Sequence, residues 1–78
     1  MKELVETIAR SLVDYPDNVD VKEHQQDNTL ILTLSVHESD MGKVIGKQGR
    51  IANAIRSVLY ASASHQEKRV RLDIKEPE

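Results

Sequence analysis

Residues 41–51 read MGKVIGKQGRI, and this stretch decides the fold. It holds all three glycines of the chain, Gly42, Gly46 and Gly49, interleaved with Lys43, Lys47 and Arg50. Helical patterns flank it, so the tetrad Gly46-Lys47-Gln48-Gly49 is a short connection between two helices. One glycine at such a junction has a geometric purpose, because it permits the positive φ that ends a helix. Two glycines framing a Lys-Gln pair ask for more. A backbone without side chains lets another backbone come close, and the amides from Gly46 to Arg50 would face an anion. Lys47 adds charge at the tip. The ligand that fits is a sugar–phosphate strand, since phosphate contacts hold a strand without reading its sequence.

Other glycine motifs fit poorly. A P-loop needs a longer spacing and a Ser or Thr after its lysine, where this chain has Gln48. A dinucleotide fingerprint needs a G-x-G that is missing. The Gly42–Gly46 pair lacks the apolar 20-mer of a membrane-packing motif.

Working outward, the segment before the tetrad predicts a short helix through Ile45, capped by Ser39 or Asp40 of HESD (37–40). After the tetrad a second helix runs from about Arg50 to Ala63. Ile51, Ile55, Val58, Leu59 and Ser62 share its inner face, with Asn53, Arg56 and Tyr60 opposite. Upstream, VDVKEH (19–24) and LILTLSV (30–36) alternate as half-buried strands joined by the polar QQDN, a hairpin. The N-terminal residues Leu4, Val5, Ile8, Ala9, Leu12 and Val13 form the apolar stripe of a helix that Tyr15-Pro16 ends. Downstream, KRVRLDI (68–74) is a strand with Val70, Leu72 and Ile74 inward, and the tail 76–78 frays. The order is α-β-β-α-α-β, an α+β domain over residues 2–75 with its helices on one face of a three-stranded mixed sheet.

The formal net charge of −2 hides an asymmetry. Residues 1–40 hold nine acids against Lys2, Arg10 and Lys22, whereas residues 41–66 hold Lys43, Lys47, Arg50 and Arg56 and no acid. Binding responds to local potential within a Debye length of about 10 Å, so the basic segment can meet a polyanion. There is no cysteine, hence no disulfide or thiolate metal site. His24, His37 and His65 lack metal-ligand spacing, and no nucleophile–base arrangement is visible. The expectation is a binding protein without cofactor, metal or catalysis. No apolar run has the length of a signal peptide core or a membrane span, which places the chain in the cytoplasm.

With VIGKQGR (44–50) framed by this element order, the sequence resembles the KH domain in its type II arrangement. As a whole it is similar to the KhpA (YlqC) family of small bacterial RNA-binding proteins, most closely over DMGKVIGKQGRIANAIR (40–56). The resemblance implies that Gly46 to Gly49 clamp the backbone of about four unpaired nucleotides. Lys47 and Gln48 would face the phosphates, Lys43 and Arg50 would flank them, and Ile45 would help floor an apolar groove. Arg56 and Asn53 complete the candidate RNA contacts, although at position 53 the wider KH pattern has a basic residue. Ala52 likewise stands where a large aliphatic is usual.

The resemblance also implies self-association and pairing with a larger KH protein, KhpB (Jag or EloR). The function it implies is post-transcriptional regulation or RNA chaperoning linked to cell elongation and division. Tyr60, exposed on the polar side of its helix, is the candidate protein contact, since tyrosine is enriched at interfaces. Two other readings stand beside this one. In the first, the glycine turn only packs two helices of a protein-interaction module. In the second, the two helices form a DNA-binding helix-turn-helix, for which Arg56 and Asn53 are the only plausible base readers.

Overall fold

Helix α1 (Lys2–Leu12) buries Val5 and Ala9 and leaves the chain extended at Val13. It stops three residues short of Pro16, where the sequence placed its end. The cause is tertiary. The amides of Asp14 and Tyr15, which a longer helix would turn back on its own carbonyls, donate instead to the Asp40 carboxylate at 3.2 and 3.0 Å. This computed structural model describes residues 1–65 and 69–75; the expected frayed tail and Lys68, at the head of the last expected strand, lie outside the described residues.

A single 3₁₀ turn over Pro16–Asn18 leads into strand β1 (Asp20–Gln26), which pairs antiparallel with β2 (Thr29–Ser35). The connection is tighter than QQDN suggested, because Gln25 and Gln26 pair with Leu30 and Thr29. Only Asp27 and Asn28 remain in the turn, with Asp27 at a φ of 55°, a conformation aspartate tolerates. Strand β3 (Arg69–Lys75) lies parallel to β2 on its other side, Leu72 opposite Leu32. Parallel neighbours need a crossover. Helices α2 (Met41–Ile45) and α3 (Arg50–His65) supply it, so the observed order is the α-β-β-α-α-β expected.

The covered face of the sheet carries Val21, Leu32, Leu34 and Leu72, all fully or almost fully buried, against Val5, Val44 and Leu59 from the three helices. The core is wholly aliphatic. The open face carries cross-strand rows such as His24–Ile31–Arg71 and Lys22–Thr33–Asp73, with Arg71 held to Asp73 by two hydrogen bonds of 3.0 Å.

Helix α3 is rotated from its expected orientation. Ala52, Ile55, Leu59 and Ala63 are buried, while Val58, expected inward, is 47% exposed. Helix α1 leans on β1 and α2 and leaves a gap along α3. That gap is an apolar cleft of about 320 Å³ lined by Ile8, Leu12, Ile51, Ala54, Ile55 and Val58.

Candidate nucleic-acid interface

The tetrad is built by two glycines that do different things. Gly46 ends α2 at φ 76° and ψ 174°, a region essentially closed to other residues. A Cβ there would also sit 2.6 Å from Ile51 Cγ1 and 2.8 Å from the Ile51 backbone nitrogen. Gly49 takes φ 75°, yet a Cβ on it would meet nothing nearer than Asn53 Nδ2 at 3.9 Å. Gly46 is therefore demanded by the fold, and Gly49 opens onto free space beside Asn53. Between them Gln48 takes φ 59°, so the pair Lys47-Gln48 stands out from a tight 3₁₀ turn with both side chains exposed.

Not all the amides expected to face an anion are free to do so. Those of Gly46, Gly49 and Arg50 donate to the carbonyls of Gly42, Gly46 and Lys47. Among the described residues, the amides of Lys47 and Gln48 have no backbone acceptor, so of the five expected to face an anion these two are free to do so.

Gly42 proves to be an ordinary exposed helix residue with no atom within 4 Å of an added Cβ. Because glycine weakens a helix interior, Gly42→Ala is expected to stabilise the fold by about 0.5–1 kcal/mol. Thermal melting should show a rise in Tm of roughly 2–8 °C; a fall would mean that α2 needs glycine there.

The expected basic flank divides in three. Lys43 turns away from the tetrad: its ammonium bonds Asp14 and, at 3.1 Å, the fully buried Asp40. Hydrogen bonding to Asp14 and then to Asp40 pushes the Lys43 pKa up. Arg50 borders the α1–α3 cleft. Arg56 reaches the other way, its Nε donating to the Leu72 carbonyl of β3 at 3.3 Å and its Nη1 to Asn53 Oδ1 at 3.4 Å. Ile45 is half-buried against the core at the foot of the tetrad. The structure thus brings together Gly46–Gly49, Ile45, Asn53 and Arg56. Tyr60 is 46% exposed on the same side of α3 as Asn53 and Arg56, away from the apolar cleft.

Asp40 is the residue whose work sequence reasoning missed. Neither it nor Ser39 caps α2 with a side chain. His37 Nδ1 instead accepts the Ser39 amide at 3.1 Å, and its ring stacks on Tyr15 at 4.2 Å. Burial pushes the Asp40 carboxyl up, but the Asp14 amide, the Lys43 ammonium and the Tyr15 amide outweigh it and hold the pKa below its ordinary value. The i,i+3 spacing of Asp40 and Lys43 is a visible signal; Asp14, 26 residues away from Asp40, is not.

A family model described as the KhpA/KhpB KH domain matches residues 2–74. The chain belongs to this family. Within it, the chain is 64% identical to RNA-binding protein KhpA of Halalkalibacterium halodurans, over 95% of this chain and 97% of that one. It is 58% identical to RNA-binding protein KhpA of Clostridium acetobutylicum, over 95% and 99% of the two chains. It is 49% identical to the protein of the same name from Listeria monocytogenes, over 95% and 97%.

Among solved structures, this KH domain is similar in fold to part of Era, seen in a crystal structure with MgGDPNP and nucleotides 1506–1542 of 16S ribosomal RNA. The TM-score is 0.63 at 22% identity, and the match covers 94% of this chain but only 28% of that one. Among the described residues, no helix is long and apolar enough to cross a membrane.

Proposed function

We propose that this protein binds single-stranded RNA with the Gly46–Gly49 turn against the phosphate backbone. The observation that carries the reading is the tetrad itself. Gly49 leaves space where a side chain would stand, and the exposed Lys47-Gln48 pair presents two amides and an ammonium beside it. A phosphate strand entering that space meets hydrogen-bond donors and positive charge at once. Asn53 and Arg56 carry the contact surface on along α3, and Ile45 supplies apolar floor. Lys43, bound to Asp14 and Asp40, acts by fixing α2 in place rather than by meeting phosphate.

The role is binding, without a catalytic step or cofactor. In the cytoplasm it serves post-transcriptional regulation or RNA chaperoning, and with a KhpB-type partner it acts on cell elongation and division. A single module grips RNA weakly, and pairing two of them raises avidity. The α1–α3 cleft offers the surface for pairing with a second copy, since Leu12 and Val58 expose 38% and 47% of their area at its rim. A KhpB-type KH domain would use the same apolar surface.

Fluorescence anisotropy with a pool of short single-stranded RNAs tests the reading. Two to three phosphate contacts predict a log–log salt slope of about −1.4 to −2.1 for the native chain. The Lys47→Asp, Gln48→Asp variant keeps its fold, because both side chains are exposed and aspartate tolerates the φ of position 48. It should lose binding. If variant and native chain bind alike, the tetrad is a helix–helix turn, and the apolar cleft then makes protein interaction the function.

A further inference from the structure

The described residues contain both tyrosines of the chain, which has no phenylalanine or tryptophan. Tyr15 is stacked on His37. Tyr60 has no such partner among the described residues, and the residue is 46% exposed on the polar side of α3. That side is already marked. Asn53, Arg56 and Tyr60 follow one another at i, i+3 and i+7, within about 60° on a helix that turns roughly 100° per residue. The line starts beside Gly49, where an added Cβ would come within 3.9 Å of Asn53 Nδ2, and Arg56 on it reaches the outer edge of β3 at the Leu72 carbonyl.

We infer that Tyr60 is a base-stacking residue at the far end of this line and sets the length of single strand the groove accepts. The inference rests on the RNA-binding reading above. Eleven residues separate Gly49 from Tyr60, about 16 Å along the helix. Three steps of a stacked strand span only about 10 Å. Four nucleotides laid from the tetrad to Tyr60 therefore run extended, with their bases unstacked, the form in which single strands are recognised. A base at the last position that has lost its neighbours regains a stacking partner on the phenol ring. Every base has a π-face, so this contact selects for length more than for sequence.

Affinity for single-stranded RNAs of two to six nucleotides, measured for the native chain, Tyr60→Ala and Tyr60→Phe, tests the assignment, with sedimentation velocity on each protein. The native chain should gain affinity on passing from three to four nucleotides. Tyr60→Ala should lose that gain and bind the longer RNAs on the order of 5- to 100-fold more weakly, with an unchanged salt slope, and Tyr60→Phe should stay within about twofold of native. In NMR titrations the Tyr60 ring protons should shift upfield as RNA is added.

Equal binding by Tyr60→Ala and the native chain would overturn the inference. So would a weaker affinity that accompanies a lower sedimentation coefficient, which would make Tyr60 a protein contact. The Lys47→Asp, Gln48→Asp variant separates the two levels. If it binds as the native chain does, or the native chain binds no RNA, the RNA reading fails and this inference with it. If it loses binding while Tyr60→Ala keeps it, only the stacking role is lost.

Discussion

Gly46→Ala should nearly unfold the protein, whereas Gly49→Ala, three residues on, should leave it folded and impair RNA binding. At Gly46 two costs coincide. The backbone conformation is one that essentially only glycine adopts, and the new methyl would press on the backbone and side chain of Ile51. Strain and overpacking together come to roughly 2–6 kcal/mol. A domain of this size has a total stability near the low end of 5–15 kcal/mol, so Tm should fall by on the order of 15 °C or more. At Gly49 only the positive φ is penalised, about 1–2 kcal/mol, because no atom crowds the added methyl. That methyl would instead project into the space proposed for the phosphate strand. Melting curves and RNA titrations of the two variants should therefore separate by kind, one losing fold and the other losing ligand. Comparable Tm values for both would show that Ile51 does not crowd Gly46 as described.

Replacing Asp40 by Asn should lower Tm by on the order of 10 °C at neutral pH, since two backbone amides and an ammonium lose an ionised acceptor in a buried place. The pH dependence has a definite sign. The folded-state pKa of Asp40 is held below its unfolded value, so its stabilisation is present above about pH 4 and lost as pH falls through the folded value. Lys43 is shifted upward, so its contribution is present below about pH 10 and lost as pH rises through its folded value. Urea unfolding at a series of pH values should show the native chain more stable than Asp40→Asn at pH 7. The two curves should converge as pH drops from about 4 towards 2. A constant gap across that range would mean that the Asp40 charge is not what holds α1 to α2.

Much of the fold was legible because it rests on local regularities. The alternation of Leu30, Leu32 and Leu34, the 3.6-residue spacing in both long helices and the glycines between two helices all repeat a period that backbone geometry imposes. Element order followed, and with it the parallel crossover that makes the sheet mixed. Of the expected site residues, Ile45, the tetrad, Asn53 and Arg56 lie together, while Lys43 turns to Asp14 and Asp40 and Arg50 borders the α1–α3 cleft. The i,i+3 spacing of Asp40 and Lys43 is the one local mark among these cations. Their surroundings otherwise depend on Asp14, on the α1–α3 cleft and on the edge of β3, which come from distant parts of the chain. The rotation of α3 was hidden for a similar reason. Val58 and Leu59 are both apolar, and which one is buried depends on where α1 lies.

What the sequence determined by itself is the set of elements and the turn between α2 and α3, because periodicity and the conformational freedom of glycine act within a few residues. Tertiary structure decided where α1 ends and which side of α3 faces the edge of β3. Each of these depends on a donor finding its acceptor across the fold, Asp14 and Tyr15 on Asp40 and Arg56 on Leu72, and such pairings exist only once the chain has folded.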